Sequence, residues 1–353
     1  MKSFNNVTVV RDEDQLPAEP LVSVCIVTYN QEDYIAEALD SVLAQTVDFP
    51  FEIIVGDDYS TDQTRNILRQ YQRAYPSHIV LNLHDEHYDG IPARKNMVVN
   101  LRAARGTYVA LLDGDDFWIS RDKLRKQTEV LEAHPELAFS FHDAVSVWPE
   151  RQRAKYPTLD QQALRTFNAE SLQMEALMQE AERYPLHRFS AVYSNPLQES
   201  RRFTPDEIVY WHFKGRHFAI PAGSVMFRRS LFVPIPEWFG RVWNADKAMQ
   251  LHFSTSGGAY YHKDLLLYYR RGNPTSMVSR FRYSAHRNDY HISQVDVYCE
   301  IVPAYAKYRH YELYSRHRAR TRIELEKERY GQALIHFVKG GTYYLLSLLP
   351  PAP

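Results

Sequence analysis

Two acidic clusters carry the chemistry this sequence offers. Asp57-Asp58 follows the apolar run at residues 51–56, and Asp113-Gly114-Asp115-Asp116 follows the apolar run at residues 109–112. Like charges held this close repel and raise one another's pKa, so packing gives no reason to place them together. A divalent cation removes the conflict. Hard ions such as Mg²⁺ or Mn²⁺ take carboxylate oxygens and bridge them to the phosphates of a substrate. Asp113 and Asp115 stand two apart on a turn, so both side chains can reach one ion. A solvated Asp-Gly turn reads the same in isolation. The apolar strand before it, and the second acidic pair at a parallel position, favour the metal.

The elements that must hold these clusters are legible as alternating periods. Residues 21–28 form a nearly continuous apolar run, as a strand buried on both faces does. Ile35, Ala38, Leu39, Val42 and Leu43 then recur at three- and four-residue spacing, which predicts a helix over residues 32–45. The pair repeats. A strand at 51–56 precedes a helix that Ser60 or Thr61 can cap and Pro76 stops, and a strand at 79–83 precedes a helix marked by Met97, Leu101 and Ala104. A strand at 107–112 precedes a helix that runs to Pro135, followed by a strand at 137–141. Strands alternating with helices predict an α/β fold, a mainly parallel sheet with helices on both faces. In such sheets ligands bind beyond the carboxyl ends of the strands, where both acidic clusters lie.

Beyond residue 148 the alternation fades. A helical piece is expected near residues 160–182, a strand at 222–227, a helix at 244–254, a strand at 265–269, and helices from about 290 onward. Residues 1–20 are polar and end in Pro-Ala-Glu-Pro, which reads as a loose leader. The expected organisation is this leader, a domain over 21–285 and a C-terminal helical extension over 286–353. Within the domain, 21–148 form a nucleotide-binding half and 149–285 an acceptor-binding half.

The bulk composition narrows the class. Hydrophobic residues make up 44% of 353 and charged residues 24%, ordinary values for a soluble globular chain. A net charge of −1 gives no field that would draw nucleic acid. Cys25 lies in an apolar run, and with only Cys299 besides it the chain points to a reducing, cytoplasmic setting. No basic-then-apolar leader and no run of about 18 apolar residues occurs, so neither a signal peptide nor a spanning helix is expected.

Three segments in order make the reading specific. VSVCIVTYNQEDYIAEALDSVLAQ, EIIVGDDYSTDQT and GTYVALLDGDDFW resemble the opening strand–helix, the DD-x-S-x-D-x-T turn and the Asp-x-Asp metal strand of the family 2 glycosyltransferases. The resemblance is strong over residues 20–145 and weaker over 215–280. It implies a GT-A type, Rossmann-like fold and inverting transfer of a sugar from a nucleotide diphosphate donor, a UDP-sugar in the commonest case, with Mn²⁺ or Mg²⁺ as cofactor. Thr28, Tyr29 and Asn30 would lie along the base and ribose. Asp57 would accept a hydrogen bond from the base, and Asp58 would support that loop. Asp113 would hold the ribose or a metal-bound water, and Asp115 would ligate the metal. Arg94 or Lys95 would touch the diphosphate, although an exposed basic helix start fits that pair equally.

The resemblance also asks for a general base at the start of a later helix. Asp246 fits, with Asp206, Glu207 and Glu237 in reserve. An ordinary N-cap aspartate would look identical. In YYRRGNPTSMVS the histidine common in relatives is missing, which leaves a third metal ligand in doubt. Arg270, Arg271 and Ser279 are candidates for the diphosphate, or for a solvated rim. His142, at the end of the strand at 137–141, is a candidate for the acceptor cleft.

The expected acceptor is a saccharide or lipid-linked saccharide in polysaccharide or cell-surface glycan synthesis. A basic stretch at 305–322 followed by an apolar, aromatic end at 333–349 allows a peripheral contact at the inner face of a membrane. It also allows a helical pair packed on the domain or on a second subunit of a homo-oligomer, which Glu324, Glu326 and Glu328 favour by interrupting the basic face. Two other functional readings stand beside the transferase. One is a non-catalytic nucleotide-sugar or glycan-binding protein. The other is a sugar nucleotidyltransferase, which the lack of a glycine-rich loop after the first strand disfavours.

Overall fold

The computed structural model describes residues 6–87, 94–145, 158–159, 189–190, 199–214, 220–270, 285–326 and 328–347. The helical piece expected near 160–182 lies outside them. The chain divides into two compact units whose segments interleave: residues 1–203, 216–235 and 257–273 form the first, and 204–215, 236–256 and 274–353 the second.

The first unit is a sheet with helices. Its strands are β1 (Val7–Val10), β2 (Val22–Thr28), β3 (Phe51–Asp57), β4 (Ile79–His84), β5 (Tyr108–Asp113), β6 (Phe117–Trp118) and β7 (Leu137–Val145). A separate antiparallel pair joins β8 (Thr158–Leu159) to β9 (Phe189–Ser190). β10 (Arg201–Phe203), β11 (Met226–Arg228) and β12 (Gly258–Tyr268) complete the main sheet. Its helices are α1 (Ile35–Leu43), α2 (Thr64–Ala74), α3 (Arg94–Ala103) and α4 (Lys123–Ala133). The strand order is β1-β4-β3-β2-β5-β11-β7-β12-β10, with β6 paired to β12. β4, β3, β2 and β5 run parallel, as the alternating pattern requires. Every residue of β2, β3 and β4 is buried, which is why each reads as an apolar run.

The structure differs from the sequence expectation in three places. Residues 7–10, within the expected leader, form an antiparallel edge strand on β4; Val-Thr-Val-Val is β-branched throughout and suits a pleated edge. Ala222–Ser224 turn as a 3₁₀ helix, and the strand itself is confined to 226–228, antiparallel to both β5 and β7. The turn aims the Gly223 carbonyl at the Trp118 indole N–H, 3.0 Å away, satisfying a buried donor. β12 begins seven residues earlier than expected and runs parallel to β7 through register shifts. The polar stretch His262-Lys263-Asp264 in its middle hides its earlier part from a search for apolar runs.

The second unit contains α5 (Pro205–Lys214), α6 (Ala245–Phe253), α7 (Ala285–Ile301), α8 (Arg309–Glu326) and α9 (Tyr330–Ser347). α8 and α9 pack on each other, and α7 packs on α8.

Candidate functional site

The carboxyl ends of β3, β2 and β5 form the candidate site. In register, Thr28 lies opposite Asp57 on one side of β2 and Val27 opposite Asp113 on the other. The two acidic clusters therefore flank the end of one strand and are separated by that strand alone.

On the β3 side, Asp57 is fully buried. Its Oδ2 accepts from the Ser60 backbone N–H at 3.1 Å and pairs with Arg65 Nε at 2.5 Å. Its Oδ1 is buried with no hydrogen-bond partner. A buried acceptor without a donor is costly, so its orientation needs a reason. The loops that follow β2 and β3 are stitched together around it. Asn30 N–H donates to Ser60 Oγ at 2.9 Å, Thr61 N–H to Asn30 Oδ1 at 2.8 Å, and Gln31 N–H to Thr64 Oγ1 at 2.9 Å. Asn30 (φ 51°) and Tyr59 (φ 63°) both adopt the left-handed region, which a sharp strand-to-helix turn requires. Thr28 is buried and donates its hydroxyl to Gln31 at 2.7 Å.

Asp58 meets His87 Nδ1 at 3.1 Å, and the His87 ring stacks on Tyr29 with centroids 4.4 Å apart. Asp58 thus holds an imidazole against the tyrosine expected to lie along the base. Lys95 is buried, with its ammonium 3.7 Å from Glu86. Arg94 opens α3, and its side chain lies outside the described residues.

On the β5 side, Gly114 N–H donates to the Val27 carbonyl at 2.9 Å and Asp116 N–H to the Asp113 carbonyl at 3.0 Å. These bonds close the turn. A Cβ on Gly114 would stand 2.5 Å from Gln31 Oε1 and 3.0 Å from Thr28, so glycine is what lets the turn approach β2. Asp113 and Asp115 keep part of their surface accessible, while Asp116 is 1% exposed. Burial, and then the charges of Asp115 and Asp113, push the Asp116 carboxyl well above the usual carboxylate range.

The residues present fit a divalent cation of a particular kind. Among the described residues no group of three or more His, Cys, Asp or Glu is arranged to hold a metal. Mg²⁺ and Mn²⁺ bound with a phosphorylated substrate use one or two carboxylates and complete their shell with phosphate and water. Asp113 and Asp115, partly open on one turn, are such a pair. A closed four-ligand site of the zinc type does not fit.

Other candidates take different places. Arg270, at the end of β12, is 4% exposed; its backbone N–H donates to Asp116 Oδ1 at 2.8 Å and its guanidinium to Glu37 Oε2 at 2.7 Å and to the Asp115 carbonyl. Arg271 and Ser279 lie outside the described residues. His142 is buried, with Nδ1 bonded to the Asp143 carbonyl at 2.9 Å, and burial holds it neutral, far below the ordinary histidine range.

In the second unit, Asn244 caps α6, its side chain accepting from Lys247 N–H at 3.1 Å. Asp246 is therefore not the cap. The residue as a whole is partly exposed, but its carboxyl is desolvated, which pushes its pKa up to about 6. Thr204 and Glu207 form a reciprocal capping box at the start of α5, which gives Glu207 a structural task.

Sequence reasoning passed over Arg65, Asn100 and Glu37, and it noted Asn96 only as the asparagine that relatives carry before the third helix. Arg65 is signalled only by its place as the second residue of α2. Asn96 and Asn100 are polar residues among Met97, Val98 and Leu101 on a buried face. Asn96 Nδ2 donates to the Gly56 carbonyl at 2.6 Å and Asn100 Nδ2 to the Ile26 carbonyl at 2.8 Å, fixing the ends of β3 and β2.

A model of the family described as Glycosyl transferase family 2 matches residues 23–231, more than half of the chain. An uncharacterised protein of Mycobacterium tuberculosis is 39% identical over 139 residues, 39% of this chain and 39% of its own. A proposed teichuronic acid biosynthesis glycosyltransferase of Bacillus subtilis is 43% identical over 123 residues, 35% of this chain and 46% of its own. The matched stretch thus spans less than half the length of these relatives. A mannosyltransferase of Pyrobaculum calidifontis, solved with GDP-Man and Mn²⁺, shares the fold with a TM-score of 0.50 at 18% identity, covering 92% of this chain and 76% of that one. Three ordered motifs, their convergence on the end of β2 and the family match lead to one conclusion: the chain belongs to glycosyltransferase family 2.

Proposed function

We propose that this protein is an inverting, metal-dependent glycosyltransferase. It moves a sugar from a UDP-sugar to a saccharide or lipid-linked saccharide acceptor in cell-surface polysaccharide synthesis. The observation that carries the reading is the pairing, across β2, of one buried and unpartnered acceptor, Asp57 Oδ1, with a partly open acidic turn. The first is suited to a base, the second to a cation and a diphosphate.

Uracil presents a single N–H between two carbonyls, and Asp57 offers a single free acceptor whose companion oxygen is held by Arg65 and Ser60. Guanine presents an N–H and an adjacent amino group, which ask for two acceptors. Tyr29 lies along the base, and Thr28 and Asn30 border the ribose. Asp113 and Asp115 would hold the ion, which neutralises the diphosphate as it leaves. Lys95 and Arg94 are the cations of this unit placed by sequence near the diphosphate.

Asp246 is the proposed general base, accepting the proton of the acceptor hydroxyl as that oxygen attacks the anomeric carbon. A carboxylate raised to about 6 is ionised at neutral pH and more basic than an ordinary one. The saccharide acceptor draws support from the Bacillus subtilis relative. The setting in cell-surface polymer synthesis is supported further by a Staphylococcus aureus poly(ribitol-phosphate) β-N-acetylglucosaminyltransferase that is 36% identical over 118 residues, 32% of this chain and 19% of its own.

A peripheral contact at the inner face of a membrane belongs to the same proposal. Among the described residues no helix is long and apolar enough to cross a membrane. α9 nonetheless exposes Leu334, Phe337, Val338 and Leu345, and it carries Lys339 and no acidic residue. An interfacial helix with a weakly basic flank has this composition.

The test of the reaction is the anomeric configuration of the product formed from UDP-sugars, followed by NMR. The expected product is inverted relative to the donor. A retained configuration would overturn the single-displacement mechanism and remove the need for Asp246.

A further inference from the structure

We propose that Arg270 is a positioning residue that holds the acidic turn in its metal-binding shape, a role that rests on the transferase reading above. Three bonds tie Arg270 to the two residues that end the turn and to α1. Its backbone N–H donates to Asp116 Oδ1 at 2.8 Å, its guanidinium donates to the Asp115 carbonyl, and the same guanidinium pairs with Glu37 Oε2 at 2.7 Å. The side chain is enclosed by aromatic rings, with its guanidinium carbon 4.4 Å from the Tyr34 centroid, 5.4 Å from Tyr268 and 5.7 Å from Phe117. It therefore has little freedom to swing elsewhere.

The bond to the Asp115 carbonyl is the one that matters for the ion. It fixes the peptide plane that follows Asp115, and with the Asp116 bonds it sets how Asp113 and Asp115 present their carboxylates together. Gly114 and Asp116 N–H hold the turn to β2 and to Asp113 from inside the strand ends. Arg270 holds it as well, from a position two residues past the end of β12 and 154 residues away in sequence. The arrangement also places a fixed positive charge against the Glu37 carboxylate and the Asp115 carbonyl, so the turn can keep its shape before an ion arrives. Lysine cannot substitute. A single ammonium lacks the planar fork that reaches a carboxylate and a carbonyl in two directions at once.

The experiment is calorimetric titration of the full chain with UDP, with and without Mn²⁺. Wild type is compared with Arg270→Lys and Glu37→Gln, and a thermal melt is recorded for each. Arg270→Lys is expected to bind UDP without metal as wild type does, and to lose about tenfold of the Mn²⁺-supported affinity, the scale of a charge-assisted hydrogen bond. Glu37→Gln removes only one arm on the more exposed side and is expected to show the same selective loss, smaller in size. It also keeps the proposal testable if Arg270→Lys fails to fold. Equal loss with and without metal, or Mn²⁺-supported binding unchanged in both variants, overturns the positioning role while leaving the donor reading standing. A wild-type protein that binds UDP no better with Mn²⁺ overturns the metal-dependent reading itself, and the role of Arg270 with it.

Discussion

Asp57 uses one carboxylate oxygen within the protein, and the proposed function assigns the other to the base. Oδ2 is held by Arg65 and by the Ser60 N–H, whereas Oδ1 is buried with no donor. Asp57→Asn keeps the shape but removes the charge that strengthens the base contact. It is expected to weaken UDP binding by tenfold or more, on the scale of about 1.5–3 kcal/mol for a hydrogen bond to a charged group, as read by calorimetry. Affinity unchanged from wild type would remove Asp57 from the base site.

Asp246 yields a pH prediction with a definite sign. Burial raises its pKa to about 6, so the base is lost as pH falls through 6. The kcat/KM profile is expected to fall on its acid side near that pH. The same shift runs the other way for stability. A carboxyl raised above its unfolded value, about 3.9, favours the fold most below pH 4 and loses that contribution between pH 4 and 6. Asp246→Asn is therefore expected to raise the melting temperature relative to wild type at pH 8 more than at pH 4. An equal difference at both pH values would show that the carboxyl is not desolvated in the fold.

At the scale of elements, α3 is pinned to the sheet by polar residues. Asn96 and Asn100, one turn apart, cap carbonyls of β3 and β2, and this requires the helix to lie close over Gly56. A Cβ on Gly56 would stand 1.9 Å from Asn96 Oδ1. Gly56→Ala is expected to cost about 1–3 kcal/mol in urea unfolding, the scale of an overpacked core. Gly240→Ala, where nothing lies within 4 Å, is expected to stay within about 0.5 kcal/mol.

α9 poses a different question, because its large apolar residues face outward. The chain is expected to float with vesicles containing anionic lipid and to lose that binding in the double variant Leu334→Glu, Phe337→Glu. A chain that ignores the vesicles, or whose concentration-dependent self-association is abolished by the same substitutions, would assign this face to a second copy instead.

For the whole molecule, legibility tracks burial and locality. The units from β2 to β7 could be read because strands buried on both faces become apolar runs and their helices carry a clear 3.6-residue period. The acidic clusters could be read because each sits at the end of such a run. β1, the first half of β12 and the turn at Ala222–Ser224 could not. β1 is four β-branched residues inside an otherwise polar segment and becomes a strand only by pairing with β4 far along the chain, while the first half of β12 and the turn are polar or small locally and take their conformation from distant partners. Asp116 illustrates the limit within the site. Its type was visible, but its burial and its bond to Arg270 belong to the tertiary structure. The interleaving of the two units likewise has no local signature, since it joins segments far apart in the sequence.

The central claim is that a nucleotide diphosphate binds at the end of β2 through an ion held by Asp113 and Asp115. The most direct test titrates UDP, GDP and dTDP into the wild-type protein and the Asp115→Ala variant, with and without Mn²⁺. The account predicts that UDP binds most tightly, that Mn²⁺ strengthens the binding, and that the strengthening vanishes in Asp115→Ala. Failure of all three nucleotides to bind, or binding indifferent to both Mn²⁺ and Asp115, would contradict it.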